Sequence, residues 1–181
     1  MIFIAEIGMN YEANFDLAHE MIRQAKLSGA TIAKFQFGWR DKPGEINHID
    51  YETGLKLKAW CEYYEIEFLA SIITEEAFHL AKDLNLNKFK IASRTVIDNP
   101  SLCEKIISEN KTTYISLGMW DKEELPFGKP EGTNIKYLYC RSKYPTYPSD
   151  LTTMPAVFDK SKFFGYSDHL QGIEACLLAI S

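Results

Sequence analysis

The chain has 181 residues, 46% of them apolar, which suits a globular domain with a sizeable core. Its net charge of −5 speaks against nucleic acid as the main partner. No apolar run approaches the roughly 20 residues that span a bilayer, and the opening MIFIAEIG lacks the basic region of a signal peptide.

From the N-terminus, IFIAEIG (2–8) reads as a first strand. Asn14 then caps a helix whose Ala18, Met21, Ile22 and Ala25 share one face, and Gly29 ends it. TIAKFQF (31–37) is the second strand, followed after Asp50 by a helical stripe of Leu55, Ala59 and Tyr63. IEFLAS (66–71) is the third strand. Thr74 and two glutamates open the next helix, with Ala77, Leu80, Ala81 and Leu84 inward. KFKIAS (88–93) is the fourth strand, and Asn99 with Pro100 starts a helix that buries Leu102, Cys103, Ile106 and Ile107. TTYISLG (112–118) is the fifth strand, but Pro126, Gly128, Pro130 and Gly132 leave room for about one helical turn after it. IKYLYC (135–140) and FFGYSD (163–168) are the sixth and seventh strands. After Gly172, the residues Ile173, Ala175, Cys176, Leu177, Leu178 and Ile180 make a helix apolar nearly all round, which asks for cover on more than one side.

Seven strand–helix units in series imply parallel strands with right-handed crossovers. Eight would close a (β/α)8 barrel, so the expectation is one TIM-type domain over 1–181 with seven strands and no eighth. A doubly wound open sheet is the alternative, without a GxGxxG or GxxxxGK[ST] loop to support it. The first and seventh strands would be unpaired edges and the last helix an open apolar face. The expected outcome is a homodimer, or a second chain that supplies the missing strand. The cysteines Cys61, Cys103, Cys140 and Cys176 form no CxxC pair and read as free thiols of a cytoplasmic protein.

The polar residues fall toward the C-terminal strand ends, where parallel α/β folds place their sites. Glu6 shares a face with Gly8 and Asn10, and Lys34 with Gln36. Lys90 precedes Ser93 and Arg94, the fifth strand ends near Ser116, and the sixth runs into Arg141, Ser142 and Tyr144. The seventh delivers Ser167, Asp168 and His169. Lys34 and Lys90 lie in strongly apolar strands, where an unpaired cation is costly and an anionic ligand would satisfy both. Glu6 can orient a hydroxyl or exchange a proton. His169 is a candidate metal ligand; Asp168 can support it or cap the next helix.

The stretches IAEIGMN (4–10), AKFQ (33–36), KIAS (90–93), SLGM (116–119), SKYPT (142–146) and GYSDH with GIE (165–174) occur in one order across nearly the whole chain. In that order and spacing the chain resembles the N-terminal catalytic barrel of the sialic acid synthases. The resemblance implies a (β/α)8 barrel followed by an antifreeze-like domain, absent here. It implies condensation of phosphoenolpyruvate with N-acetylmannosamine or a related amino sugar, with release of phosphate. It also implies a divalent metal, manganese with magnesium as the alternative. Lys34, Lys90, Ser93 and Ser116 would then hold the phosphate and carboxylate of phosphoenolpyruvate. Gln36, Ser142 and Tyr144 would face the substrates, and Ser167 would hydrogen-bond one of them. His169 would ligate the metal, and Glu6 would touch the sugar or a metal-bound water. The sequence departs from the family at Tyr11, in place of His, and at Thr95, in place of a candidate acid–base Glu. The family's second metal histidine, on the eighth strand, has no counterpart. Two further readings follow from the residues: a non-catalytic chain that binds an anion or partner, and an aldolase forming a Schiff base on Lys34 or Lys90.

Overall fold

The computed structural model describes residues Met1–Ser181, and the chain divides into two compact units, Met1–Lys90 and Ile91–Ser181. The first unit runs β1 (Ile4–Gly8), α1 (Phe15–Leu27), β2 (Ile32–Phe37), α2 (Tyr51–Tyr63), β3 (Glu67–Ile72), α3 (Glu75–Asp83) and into β4 (Lys88–Ile91). Strands β1 and β2 pair in parallel, as do β2 and β3. Strand β2 is buried along nearly its whole length, as expected where a parallel sheet is covered on both faces.

Each helix of this unit begins where a side chain accepts an otherwise orphaned backbone N–H. Asn14 accepts from Leu17 N at 3.1 Å, Asp50 from Thr53 N at 2.8 Å and Thr74 from Ala77 N at 3.2 Å. Helix α1 buries Ala18, Ile22 and Ala25, on the predicted face. Helix α2 does not follow the predicted stripe. It buries Gly54, Leu57 and Cys61, while Tyr63 is 78% exposed. A Cβ on Gly54 would stand 2.6 Å from Leu84 Cδ1. The bare glycine thus admits Leu84 from the end of α3, and this contact sets the rotation of α2.

The second unit holds α4 (Ser93–Asp98), α5 (Pro100–Ser108), β5 (Thr112–Ser116), β6 (Ile135–Cys140), β7 (Gly165–Ser167) and α6 (Glu174–Ile180). Strands β5, β6 and β7 are parallel neighbours in that order. Several expectations need correction here. The fourth strand ends at Ile91, not at residue 93, and Ser93 opens a six-residue helix that hydrophobic periodicity is too short to reveal. The seventh strand is three residues long. No α-helix joins β5 to β6. The connection is held instead by Trp120 Nε1 donating to Glu124 O at 2.7 Å and by the Tyr137 hydroxyl donating to Gly128 O at 3.1 Å. Between β6 and β7 stand only two 3-10 turns, Pro148–Asp150 and Phe158–Lys160. Helix α6 buries Ala175 alone, with Leu177 and Leu178 more than half exposed.

Seven parallel strands in sequence order, the first five of them joined by α-helices, make this an α/β fold of TIM type. No helix is long and apolar enough to cross a membrane. All four cysteines are free, and burial pushes the thiols of Cys61 and Cys103 up to about 12, which keeps both protonated and inert near neutrality.

Asn99 carries the junction of α4 and α5. Its side chain accepts from Leu102 N at 3.1 Å and from Ser101 Oγ at 2.9 Å. Asn99→Ala is expected to cost about 1 kcal/mol in urea denaturation, the usual loss of a helix N-cap. Lys129→Ala, exposed and outside both helices, serves as the control.

Candidate active site

The first unit gathers four of the predicted polar residues. The β1–β2 register sets Glu6 opposite Lys34, and the Glu6 carboxylate accepts from the Lys34 ammonium. Ser71 Oγ lies 3.4 Å from Lys34 Nζ. Lys34 is 8% exposed and Lys90 4%, so both cations are buried. Burial first, and then the like charge of Lys90, push the Lys34 ammonium well below the usual lysine range. The Glu6 side chain that faces it is 48% exposed. The sign follows from proton binding: the folded state holds the Lys34 proton less tightly than the unfolded chain. Its burial therefore costs stability near neutrality, and stability rises with pH from the depressed folded pKa toward the unfolded value of about 10.4.

A Cβ on Gly8 would stand 3.0 Å from Glu6 Oε1, 3.5 Å from Gln36 Nε2 and 3.8 Å from Asn10 Nδ2. Glu6 and Gln36 therefore flank one spot at the C-terminal end of β1, as alternation predicts. Asn10 has left the strand and donates to Ile7 O at 2.9 Å. Ser71 was passed over in the sequence, although it closes the run IEFLAS and could have been found by the same end-of-strand rule.

Tyr11 belongs to the core and lines no site. It is fully buried, packs on Phe15 and Phe35, and donates its hydroxyl to Asn47 Oδ1 at 2.6 Å. Burial holds that hydroxyl far above the usual tyrosine range.

The second unit gathers the serines around Gly118. Ser93 Oγ accepts from Gly118 N at 2.9 Å, and Ser142 N donates to Gly118 O at 3.3 Å. Ser93, Thr95 and Ser116 are all buried. Thr95 is a packed residue of α4 without acid–base capacity, as its type requires. Ser142 Oγ is 3.7 Å from Cys140 Sγ, and the same sulfur is 3.7 Å from His169 Nδ1. In the sequence Cys140 reads only as a free thiol and not as a site residue; its place as the last residue of β6 is the signal that marks it.

His169 has both ring nitrogens engaged. Nδ1 lies 3.0 Å from Arg141 O, a group that only accepts, so Nδ1 carries the proton. Nε2 then accepts from the Tyr144 hydroxyl at 3.1 Å, with the two rings 4.8 Å apart. Burial, and then the neighbouring Cys140, raise the Tyr144 hydroxyl. Asp168 neither caps α6 nor faces His169. Its Oδ1 accepts from the Tyr166 hydroxyl at 2.6 Å and Leu170 N at 2.8 Å, and its Oδ2 accepts from Cys176 Sγ at 3.2 Å. Burial and this carboxylate together push the Cys176 thiol up to about 11. Ser167 is half-buried at the end of β7, in register with Cys140.

The tautomer of His169, with Nδ1–H on a backbone carbonyl, is one that presents Nε2 to a metal. One donor does not make a site, however. No group of three His, Cys, Asp or Glu side chains stands together in the chain, and both oxygens of the nearest carboxylate are occupied. The residues present do not by themselves fit a bound metal ion.

Known proteins give this arrangement its context. Over 98% of its length the chain is 30% identical to the N-acetylneuraminate-9-phosphate synthase of Homo sapiens, of which it spans 58%. Over 99% of its length it is 27% identical to the N,N'-diacetyllegionaminic acid synthase of Campylobacter jejuni, of which it spans 64%. The chain thus covers less than two thirds of these relatives. Among solved structures, the sialic acid synthetase of Leptospira borgpetersenii, in complex with citrate, superposes with a TM-score of 0.84 at 27% identity, covering 99% of this chain and 68% of that one. A 3-deoxy-D-arabino-heptulosonate 7-phosphate synthase from Thermotoga maritima shares the fold alone, at a TM-score of 0.56 and 14% identity over 77% of this chain and 50% of that one. The NeuB family profile matches residues 45–181, which carry Lys90, the serines around Gly118 and His169, so the chain belongs to the NeuB family.

Proposed function

We propose that this chain carries the phosphoenolpyruvate-binding part of a synthase that condenses this substrate with N-acetylmannosamine or a related amino sugar and releases phosphate. The observation that carries the reading is the pair of buried lysines in strands β2 and β4 of the first unit. Two like charges held close together and away from water are costly, and a doubly charged anion offsets that cost. The citrate in the Leptospira synthetase, a small polycarboxylate, is in keeping with such a site in the family.

Lys34 and Lys90 would bind the phosphate and carboxylate through charge-assisted hydrogen bonds. Glu6 would hold or exchange a proton at the reacting centre. Gln36 would orient a substrate through its side-chain amide. In the second unit, Ser93 and Ser116 would add hydrogen bonds to phosphoenolpyruvate, and Ser142, Tyr144 and Ser167 would contact substrate. The C3 carbon of phosphoenolpyruvate would attack the sugar aldehyde, water would add at C2, and phosphate would leave. A divalent metal, manganese or magnesium, belongs to the same reading with His169 as one donor. These residues do not by themselves complete its site. The four free thiols suit a cytoplasmic location.

Calorimetric titration with phosphoenolpyruvate tests the reading. Lys34→Ala and Lys90→Ala should each weaken binding by about 1.5–3 kcal/mol. Arg23→Ala, whose guanidinium is engaged by Glu20 on α1, should bind as the parent does. Equal affinity in all three variants would remove the anion site from these lysines. Phosphate release that requires an added amino sugar separates condensation from binding alone.

A further inference from the structure

We propose that Tyr11 and Asn47 are positioning residues for the ligand-facing end of β2, and that they fix where the Gln36 amide stands. This rests on the reading of Gln36 as a substrate ligand given above.

Asn47 lies in the loop between β2 and α2, yet it is fully buried. A loop asparagine is ordinarily exposed, so its burial needs a reason, and its hydrogen bonds supply one. Its side-chain nitrogen donates to Gln36 O at 2.7 Å and to Trp39 O at 2.8 Å. Its side-chain oxygen accepts from the Tyr11 hydroxyl at 2.6 Å. Its backbone N–H donates to Arg40 O at 3.1 Å. The loop thus turns back and plugs its own amide into the main chain at the end of β2.

The two carbonyls it pins are those the strand ladder cannot hold once the chain turns away. Arg40 sits at φ 52°, in the left-handed region, so the turn after β2 is sharp and not self-supporting. Asn47 is oriented by all three partners. A flipped amide would set its oxygen against two carbonyls, which only accept, so Gln36 O and Trp39 O fix which way it points. The Tyr11 hydroxyl anchors the other end by donating to the oxygen. Its ring is clamped between Phe15 and Phe35, with centroids 5.3 and 6.0 Å away, so the hydroxyl has little freedom. Tyr11 anchors Asn47, Asn47 sets the Gln36 carbonyl, and the Gln36 side chain beside Glu6 takes its place from that main chain.

Two readouts test this, both on the intact chain. In a Trp60→Phe, Trp120→Phe background Trp39 is the sole tryptophan, since the chain has three, and excitation at the red edge of the band selects it over the tyrosines. Tyr11→Phe and Asn47→Ala should lower its anisotropy at temperatures where circular dichroism shows the fold intact. Unchanged anisotropy in both variants means the pair pins nothing and overturns the proposal without reference to any ligand. In calorimetry with phosphoenolpyruvate, Tyr11→Phe should weaken binding about tenfold. That loss should vanish when Gln36 is already alanine, because the hydroxyl acts through Gln36. An undiminished loss in the Gln36→Ala background assigns Tyr11 a general structural role and overturns the proposal. No binding by the parent removes the proposed function and the ligand half of this proposal with it, and the Trp39 arm tells the two failures apart.

Discussion

Replacing Gly118 by alanine is expected to destabilise the chain by about 3 kcal/mol or more, read as a fall in the urea midpoint at constant slope. The added Cβ would stand 2.5 Å from Ser142 Oγ, 2.7 Å from Ser142 N and 2.8 Å from Cys140 Sγ. A serine hydroxyl can rotate away; a backbone nitrogen cannot. Ser142 N is held by its bond to Gly118 O, and Gly118 N is held in turn by Ser93 Oγ. Three loops therefore meet at one α-carbon, and relief at one contact breaks another. Gly54→Ala is the informative contrast. Its Cβ would meet only the end of the Leu84 side chain, which can change rotamer, so the loss should be smaller. A Gly118→Ala chain as stable as the parent would mean that this junction is looser than its hydrogen bonds indicate.

Asp168→Ala is the second large effect, at about 3–4 kcal/mol. The carboxylate accepts three hydrogen bonds, from the Tyr166 hydroxyl, Leu170 N and Cys176 Sγ, and alanine leaves all three donors without a partner. The tyrosine suffers most, because its ring stacks near Tyr139 and cannot turn its hydroxyl to bulk water without breaking that packing. The Cys176 thiol, held near 11 by burial and the carboxylate, should become easier to alkylate once the negative charge is gone. Ser167→Ala, one residue earlier, should change stability by less than about 0.5 kcal/mol. If Asp168→Ala and Ser167→Ala melt together, the carboxylate is not the hub described.

The strands were legible because each is a short apolar run bounded by polar or turn residues, and their order implied a parallel α/β fold. Lys34 and Lys90 stood out for a physical reason that needs no structure: a cation in an apolar strand requires an account. What stayed hidden depends on contacts distant in sequence. The rotation of α2 is set by Leu84 entering at Gly54, 30 residues away, while Leu55 and Tyr63 offered an equally apolar stripe. Ser93 belonged to an apolar run that looked like strand to its end, and the six residues of α4 carry too little periodicity to contradict it. Tyr11 was visible as a departure from the family pattern, but Asn47, which gives it a role, is 36 residues on. His169 was read as a metal donor from its place at a strand end; its engagement with Tyr144 and Arg141 comes from a loop without regular structure.

The two buried lysines bear on how such a chain drifts under mutation. Lys34 burdens the fold near neutral pH, and a step from Lys34 to methionine would relieve both the desolvation and the repulsion from Lys90. For a chain under no selection for a ligand, that step is thermodynamically downhill. Loss of one lysine should then be among the early marks of disuse, as stability and function pull this pair in opposite directions. This chain holds both cations, at 8% and 4% exposure, and holds Lys34 at a cost in stability.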